Sequence, residues 1–162
     1  MARQLQMAAQ FPPISLLAPA ADAAGRTSVW RSLRNCAGKA WIVAEVNQGN
    51  AATVQLSLSQ AKDVNGTSSK AINATAAIWL NNVAQTADAL TQQTSGASFT
   101  TDATTVDKIV LFEIDPSRDL DLTNGFNHIA ITTGASNAAN ITRADLYIYG
   151  SIQSATPPTS VI

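Results

Sequence analysis

Cysteine and histidine are almost missing from this chain: Cys36 and His128 stand alone among 162 residues. A single cysteine closes no intrachain disulfide, so stability has to come from packing or assembly. One cysteine and one histidine also leave a zinc site of the usual kind short of ligands. A catalytic thiol needs a basic partner, and a serine–histidine–acid arrangement needs neighbours that the sequence around His128 does not supply. Cys36 is therefore expected to be a small buried or half-buried residue. His128, within NGFNHIAI, is expected to be structural or to lie on the surface. No apolar run approaches the roughly 18 residues of a membrane span, and no glycine-rich phosphate loop is present. Charge is scarce as well. Asp, Glu, Lys and Arg make up 13% of the chain, against roughly 25% in ordinary chains.

What replaces charge is Ala, Thr, Asn, Ser and Gln. A surface of hydroxyls and amides suits lasting burial against partners. The few charges are unevenly spread: residues 1–40 hold Arg3, Arg26, Arg31, Arg34 and Lys39 against Asp22 alone, and an acidic excess follows. A basic arm and an acidic body could pair between subunits. The bases are too few, and too little interleaved with aromatics, for a nucleic-acid site. The opening MARQLQMAAQFPPISLLAPAADAAG resembles a signal peptide, but Pro12 and Pro13 interrupt the approach to a short apolar stretch. It is read as a retained arm, residues 1–26, with a short helix possible over 3–10 and extended backbone after Pro12, Pro13 and Pro19.

From Thr27 onward the pattern is β. WIVAEV sets Ile42, Ala44 and Val46 against Trp41, Val43 and Glu45, and TVQLSLSQA sets Val54, Leu56 and Leu58 against Gln55, Ser57 and Ser59. Turn formers in NQGN join the two. Further strands are expected around Trp30, around Ile78 and Leu80, over VDKIVLFEID, around Ile129 and Ile131, and over ITRADLYIYGSIQ. VAQTADAL reads equally as a helical turn or as strand and loop. Seven or eight strands with frequent turns predict an all-β, antiparallel β-sandwich, jelly-roll-like, over residues 27–153, followed by a tail over 154–162.

Chemistry has few places to sit. The run EIDPSRDLDL gathers Glu113, Asp115, Asp119 and Asp121, but the spacing is not that of a calcium loop and Arg118 offsets the charge. A solvated loop with Asp115 capping a turn is the expectation. Trp30, Trp41 and Trp79 are expected to be core or interface anchors, and Tyr147 and Tyr149 could form an aromatic platform. No catalytic, cofactor or metal residue is assigned.

The segments VAEVNQGNAATVQLSLSQAKDVNGTSSKAI and FEIDPSRDLDLTNGFNHIAITTGASNAANITRADLYIYG resemble small proteins of tailed-bacteriophage head modules. The shared pattern is a strand ending in LSQAKDVNG, a later FEID strand, and Leu-x-x-Gly-Phe-x-His-Ile before a terminal Leu-Tyr-Ile-Tyr strand. It covers roughly residues 27–152. The resemblance is to capsid decoration, or cement, proteins. It implies a compact β fold with an extended arm on the exterior of the virion capsid, no cofactor and no enzymatic activity. The implied partners are the major capsid protein and copies of the chain itself, as a homo-dimer or homo-trimer, with no nucleic acid and no membrane. Interface residues are then expected in the arm, at Leu5, Phe11, Ile14, Leu16, Leu17 and Arg26, and near the body, at Trp30 and Arg34. Removing residues 1–25 is expected to leave the β domain folded. The competing readings are another virion component (tail tube, head–tail adaptor or fibre-associated module) and a receptor- or carbohydrate-binding sandwich.

Overall fold

The computed structural model describes residues 11–149. The chain opens with β1 (Ile14–Ala21), β2 (Arg26–Thr27) and β3 (Arg31–Ser32). The long β4 (Ala40–Gln48) and β5 (Gln55–Ala61) follow, then the short β6 (Lys70–Ala71). Next come β7 (Ala77–Asn81), β8 (Thr91–Gln93), β9 (Ser98–Thr100) and β10 (Asp107–Ile114). A single-turn helix, α1 (Pro116–Asp119), and a 3-10 turn at Leu122–Asn124 lead to β11 (His128–Thr133) and β12 (Asn140–Ile148).

Two antiparallel sheets result. Sheet I runs β1-β12-β4-β10-β7-β8, and sheet II runs β2-β11-β5-β6, with β3 also on β11 and β9 also on β5. The chain passes repeatedly from one sheet to the other. The four-strand cores β1-β12-β4-β10 and β2/β3-β11-β5-β6 interleave as in a jelly roll of two Greek keys. The pair β7–β8 widens sheet I beyond β10.

The expected all-β sandwich is therefore present, with twelve strands among the described residues in place of seven or eight. The additional ones are mostly two or three residues long, too short to show an alternation. Of the two readings of VAQTADAL the helical turn is the one present: a single turn, closed by the Ala87 N–H donating to the Val83 carbonyl at 3.0 Å, with no strand over 83–90. The turn after Gln48 does not close a hairpin. β4 and β5 lie in opposite sheets, so Ile42, Ala44 and Val46 meet Leu56 and Leu58 across one core rather than side by side.

The arm needs a larger correction. Its extended part is β1, an edge strand of sheet I, paired with β12 from Ile14↔Leu146 to Ala21↔Ile141. A register shift after Ser15 lets two consecutive leucines face inward, and Leu16 and Leu17 are 5% and 6% exposed. They are built into the chain's own core, so they are not free plugs for a neighbour. Removing residues 1–25 would take that strand away.

One end of the sandwich is closed by polar groups that satisfy one another. Thr101 Oγ1 donates to Gln48 Oε1 at 2.8 Å and accepts from the Val54 N–H at 2.9 Å. Gln48 Nε2 donates to the Asp102 carbonyl at 2.6 Å, and Asn140 Nδ2 donates to the Ala52 carbonyl at 2.7 Å. Buried amides and hydroxyls paired this way fix the loops without leaving unpaired polar atoms.

Candidate docking face

An antiparallel sheet that packs one face on a core normally turns polar side chains to water. Sheet II does so. Its outward positions include Ser57, Ser59 and Thr132, with Thr27 Oγ1 and Thr132 Oγ1 3.2 Å apart, while Ala130 beside Ser59 is fully buried.

Sheet I departs from that rule. Its outward cross-strand rows are Tyr147–Trp41–Glu113–Ala77, then Asp145–Val43–Leu111–Trp79–Gln92, then Arg143–Glu45–Ile109–Asn81. Trp41, Val43, Trp79, Ile109, Leu111 and Tyr147 are all half-buried without any element of the described residues over them. They shield one another. Charged groups rim the patch and are already paired: Lys39 with Glu113 on one side, Arg143 with Asp145 and with Glu45 (3.8 Å) on the other. A shallow cleft of about 350 Å3 lies at the Arg143 end, between Pro19, Glu45, Asp107 and Ile141. Such a contiguous apolar face inside a neutralised rim is what a protein contact surface looks like.

At one corner the rings meet. Phe11 stacks on Tyr149 with centroids 5.3 Å apart and planes 13° from parallel, and Tyr149 lies 6.0 Å from Trp41 at a tilted angle. Of the residues expected at an interface, Phe11 is thus on the margin of this face. Ile14 is half-buried and packs on the core edge. Leu16 and Leu17 are core. Arg26 is consumed inside the chain: it pairs with buried Asp22 at 3.0 Å and donates to the carbonyls of Ala18, Ala20 and Thr142. Trp30 and Arg34 lie away from sheet I. Trp30 rests on Gly66, where an added Cβ would come within 2.4 Å of its Nε1, and Arg34 is exposed near His128. Leu5 lies outside the described residues.

Val43, Ile109 and Leu111 were not singled out from the sequence. A signal was there: IVLF and WIV are apolar at every position, and a run without alternation marks a strand covered on both faces.

The other candidates have internal partners. Asp115 caps α1 by accepting from the Ser117 N–H at 3.0 Å. Asp119 is fully buried and takes bonds from Thr75, Arg118 and the Asp115 N–H. Asp121 accepts from Lys70 at 2.6 Å, whose ammonium also sits 4.2 Å from the Phe126 ring centre. Among the described residues, no group of three or more His, Cys, Asp or Glu converges as a metal cage. His128 faces outward on sheet II, opposite Ala61 and Ser32, yet is 4% exposed, with Nδ1 lacking a partner. Burial, and then nearby Arg34, hold its pKa below the usual histidine value, against the pull of Asp63 and the Lys62 backbone. Burial raises the pKa of the half-buried Cys36 thiol.

No protein-family model, no curated protein and no solved structure matches this chain.

Proposed function

We propose that the chain is a structural component of a tailed-phage virion, a capsid cement or decoration protein on the exterior of the head. In this reading it is not an enzyme and holds no cofactor. Its partners are the major capsid protein and copies of itself. The observation that carries the reading is the outward face of sheet I. Trp41, Val43, Trp79, Ile109 and Leu111 form an apolar surface on a rigid two-layer scaffold, ringed by charges that need nothing from a partner. Burying such a face contributes about 25 cal/mol per Å2 of apolar area, a modest sum for one copy and a large one when repeated over a shell. The jelly roll itself serves capsid and lectin domains alike, so the fold adds no weight to one over the other.

The test is co-sedimentation with expanded heads purified from the phage that carries this chain. The wild-type chain is expected to bind and to raise the temperature at which heads open. Leu111→Gln with Trp79→Gln is expected to abolish binding while circular dichroism stays unchanged. A wild-type chain that stays in the supernatant sinks the reading.

The rings Phe11, Tyr149 and Trp41 favour a second reading, a carbohydrate-binding sandwich, because sugars stack on such platforms. A glycan screen separates the two. Binding that depends on Tyr149 without any affinity for heads moves the assignment.

A further inference from the structure

The sequence contains two Asn-Gly pairs, Asn65–Gly66 and Asn124–Gly125. In such a pair the glycine nitrogen can reach the asparagine carboxamide, because no Cβ crowds it and the backbone turns freely. The fold treats the two pairs differently. Asn124 is held: its Nδ2 donates to both carboxylate oxygens of Asp121 at 2.9 Å, and the Gly125 N–H donates to the Leu122 carbonyl at 3.0 Å. Asn65 is exposed, and its carboxamide hydrogen-bonds to none of the described residues. Asp63 and Gly66 open and close a β-turn, the positions that Asp and Gly favour. Asp63 Oδ1 takes the backbone N–H groups of Asn65 and Thr67 at 2.9 and 3.1 Å, which fixes the turn and leaves the Asn65 side chain in water. The Gly66 N–H keeps only a long bond, 3.2 Å to the Asp63 carbonyl.

The structure also requires glycine at 66. Its φ is +78°, and a Cβ would lie 2.4 Å from Trp30 Nε1. The packing of Trp30 thus imposes the residue that makes Asn65 vulnerable. From these contrasts we infer that Asn65 is a self-modification site, deamidating in the folded chain while Asn124 stays intact. The Gly66 nitrogen loses its proton to water and attacks Asn65 Cγ. The Cγ–Nδ2 bond breaks, and Nδ2 leaves as ammonia with a proton from solvent. The cyclic imide then takes up water. Opening at Cγ gives aspartate, and opening at the main-chain carbonyl gives isoaspartate, with no change of oxidation state. The isoaspartyl form puts one more methylene into the main chain just before Gly66. Gly66 is pressed on the indole, so the lengthened loop has to lift away from Trp30.

The test uses the full-length protein, aged in mildly alkaline buffer and digested with trypsin. Cleavage after Lys62 and Lys70 isolates Asn65 in residues 63–70, and cleavage after Arg118 and Arg143 isolates Asn124 in residues 119–143. Residues 63–70 are expected to become heavier by one dalton and to split into aspartyl and isoaspartyl forms, separated by electron-transfer fragmentation, before Asn124 changes. In urea both sites are expected to convert at similar rates. Equal rates in the folded protein overturn the proposal, as does an Asn65 that reacts in urea and stays intact when folded. Asp121→Ala releases the Asn124 carboxamide and is expected to hasten its conversion; an unchanged rate overturns the protective role given to Asp121. Tryptophan emission of the wild type is expected to drift to longer wavelength as isoaspartate accumulates, and to stay constant in Asn65→Ser. Full conversion with an unchanged spectrum overturns the link to Trp30.

Discussion

Arg26 donates to the Thr142 carbonyl at 2.7 Å, across the stretch of the β1–β12 ladder where pairing slips and Pro19 brings no N–H. The same guanidinium takes the carbonyls of Ala18 and Ala20, both at 2.9 Å, and the carboxylate of fully buried Asp22 at 3.0 Å. One fork-shaped cation thus replaces the missing ladder donors and neutralises a buried anion. Arg26→Ala leaves both unserved and is expected to lower stability by about 2–3 kcal/mol, measured by urea denaturation. Arg26→Lys is expected to restore only part, because an ammonium cannot reach four acceptors in one plane.

Trp30 and Gly66 make a second joint of this kind. Gly66 sits at φ +78°, and a Cβ there would run into the indole. Gly66→Ala is expected to cost about 2 kcal/mol, from left-handed backbone strain and from the displaced ring. The change should also appear as altered tryptophan fluorescence, since the ring cannot stay where it is.

Strands β4, β5, β10 and β12 were legible because period-two alternation with one buried face sets their register. β1 was hidden by its own irregularity. Two adjacent leucines and a proline erase the alternation, and only pairing with β12, far along the chain, turns the segment into a strand. β6, β8 and β9 were beyond reach for a related reason, since two or three residues carry no period, and the one strand expected around Trp30 is instead the two short strands β2 and β3 on either side of it. The separation of β4 from β5 into opposite sheets was not legible either, because a short turn between alternating strands suits a hairpin and a sheet-crossing arch equally. As for the candidate face, the tryptophans and tyrosines were visible as anchors. Their convergence with Val43, Ile109 and Leu111 depended on strand order.

His128 gives the fold an acid-sensitive point. Its pKa in the folded chain is held below the unfolded value of about 6.5, chiefly by burial and then by Arg34. The unfolded chain therefore binds the proton first. Stability from this group is full above about pH 7 and falls as pH drops through 6.5 toward the folded pKa. His128→Gln is expected to flatten the fall in stability that sets in as pH drops through about 6.5. A profile with the same slope in the variant would place the sensitivity elsewhere.

Truncation separates the two halves of the N-terminal arm. Removing residues 1–10 is expected to leave the cooperative unfolding transition in place. Removing residues 1–21 deletes β1, opens the ladder along β12 and uncovers the core beside Leu146. Losing two buried leucines costs on the order of 4–10 kcal/mol, comparable with the whole stability of a domain this size. The longer truncation is expected to show no native transition in a thermal scan.

Lys108 offers a sharper test of how the polar end of the sandwich is held. Its side chain is fully buried, donates to the Thr104 carbonyl and lies 3.5 Å from half-exposed Asp102. The aliphatic stem packs while the amine serves one carbonyl and one partly hydrated carboxylate. Lys108→Met keeps the volume and removes the buried charge, so it is expected to change stability by less than about 1.5 kcal/mol. Lys108→Ala empties the site and is expected to cost about 3 kcal/mol. Asp102 distinguishes the charge from the packing. Its pKa is lowered to about 2, first by the Thr104 N–H and also by the Asn82 side chain, with Lys108 a smaller contributor. Stability from Asp102 is present above the unfolded carboxylate range near pH 4 and is lost as pH falls toward 2. That acid limb is expected to survive in Lys108→Met and to shrink in Thr104→Pro, which removes the N–H, when both are followed by denaturation between pH 2 and 5.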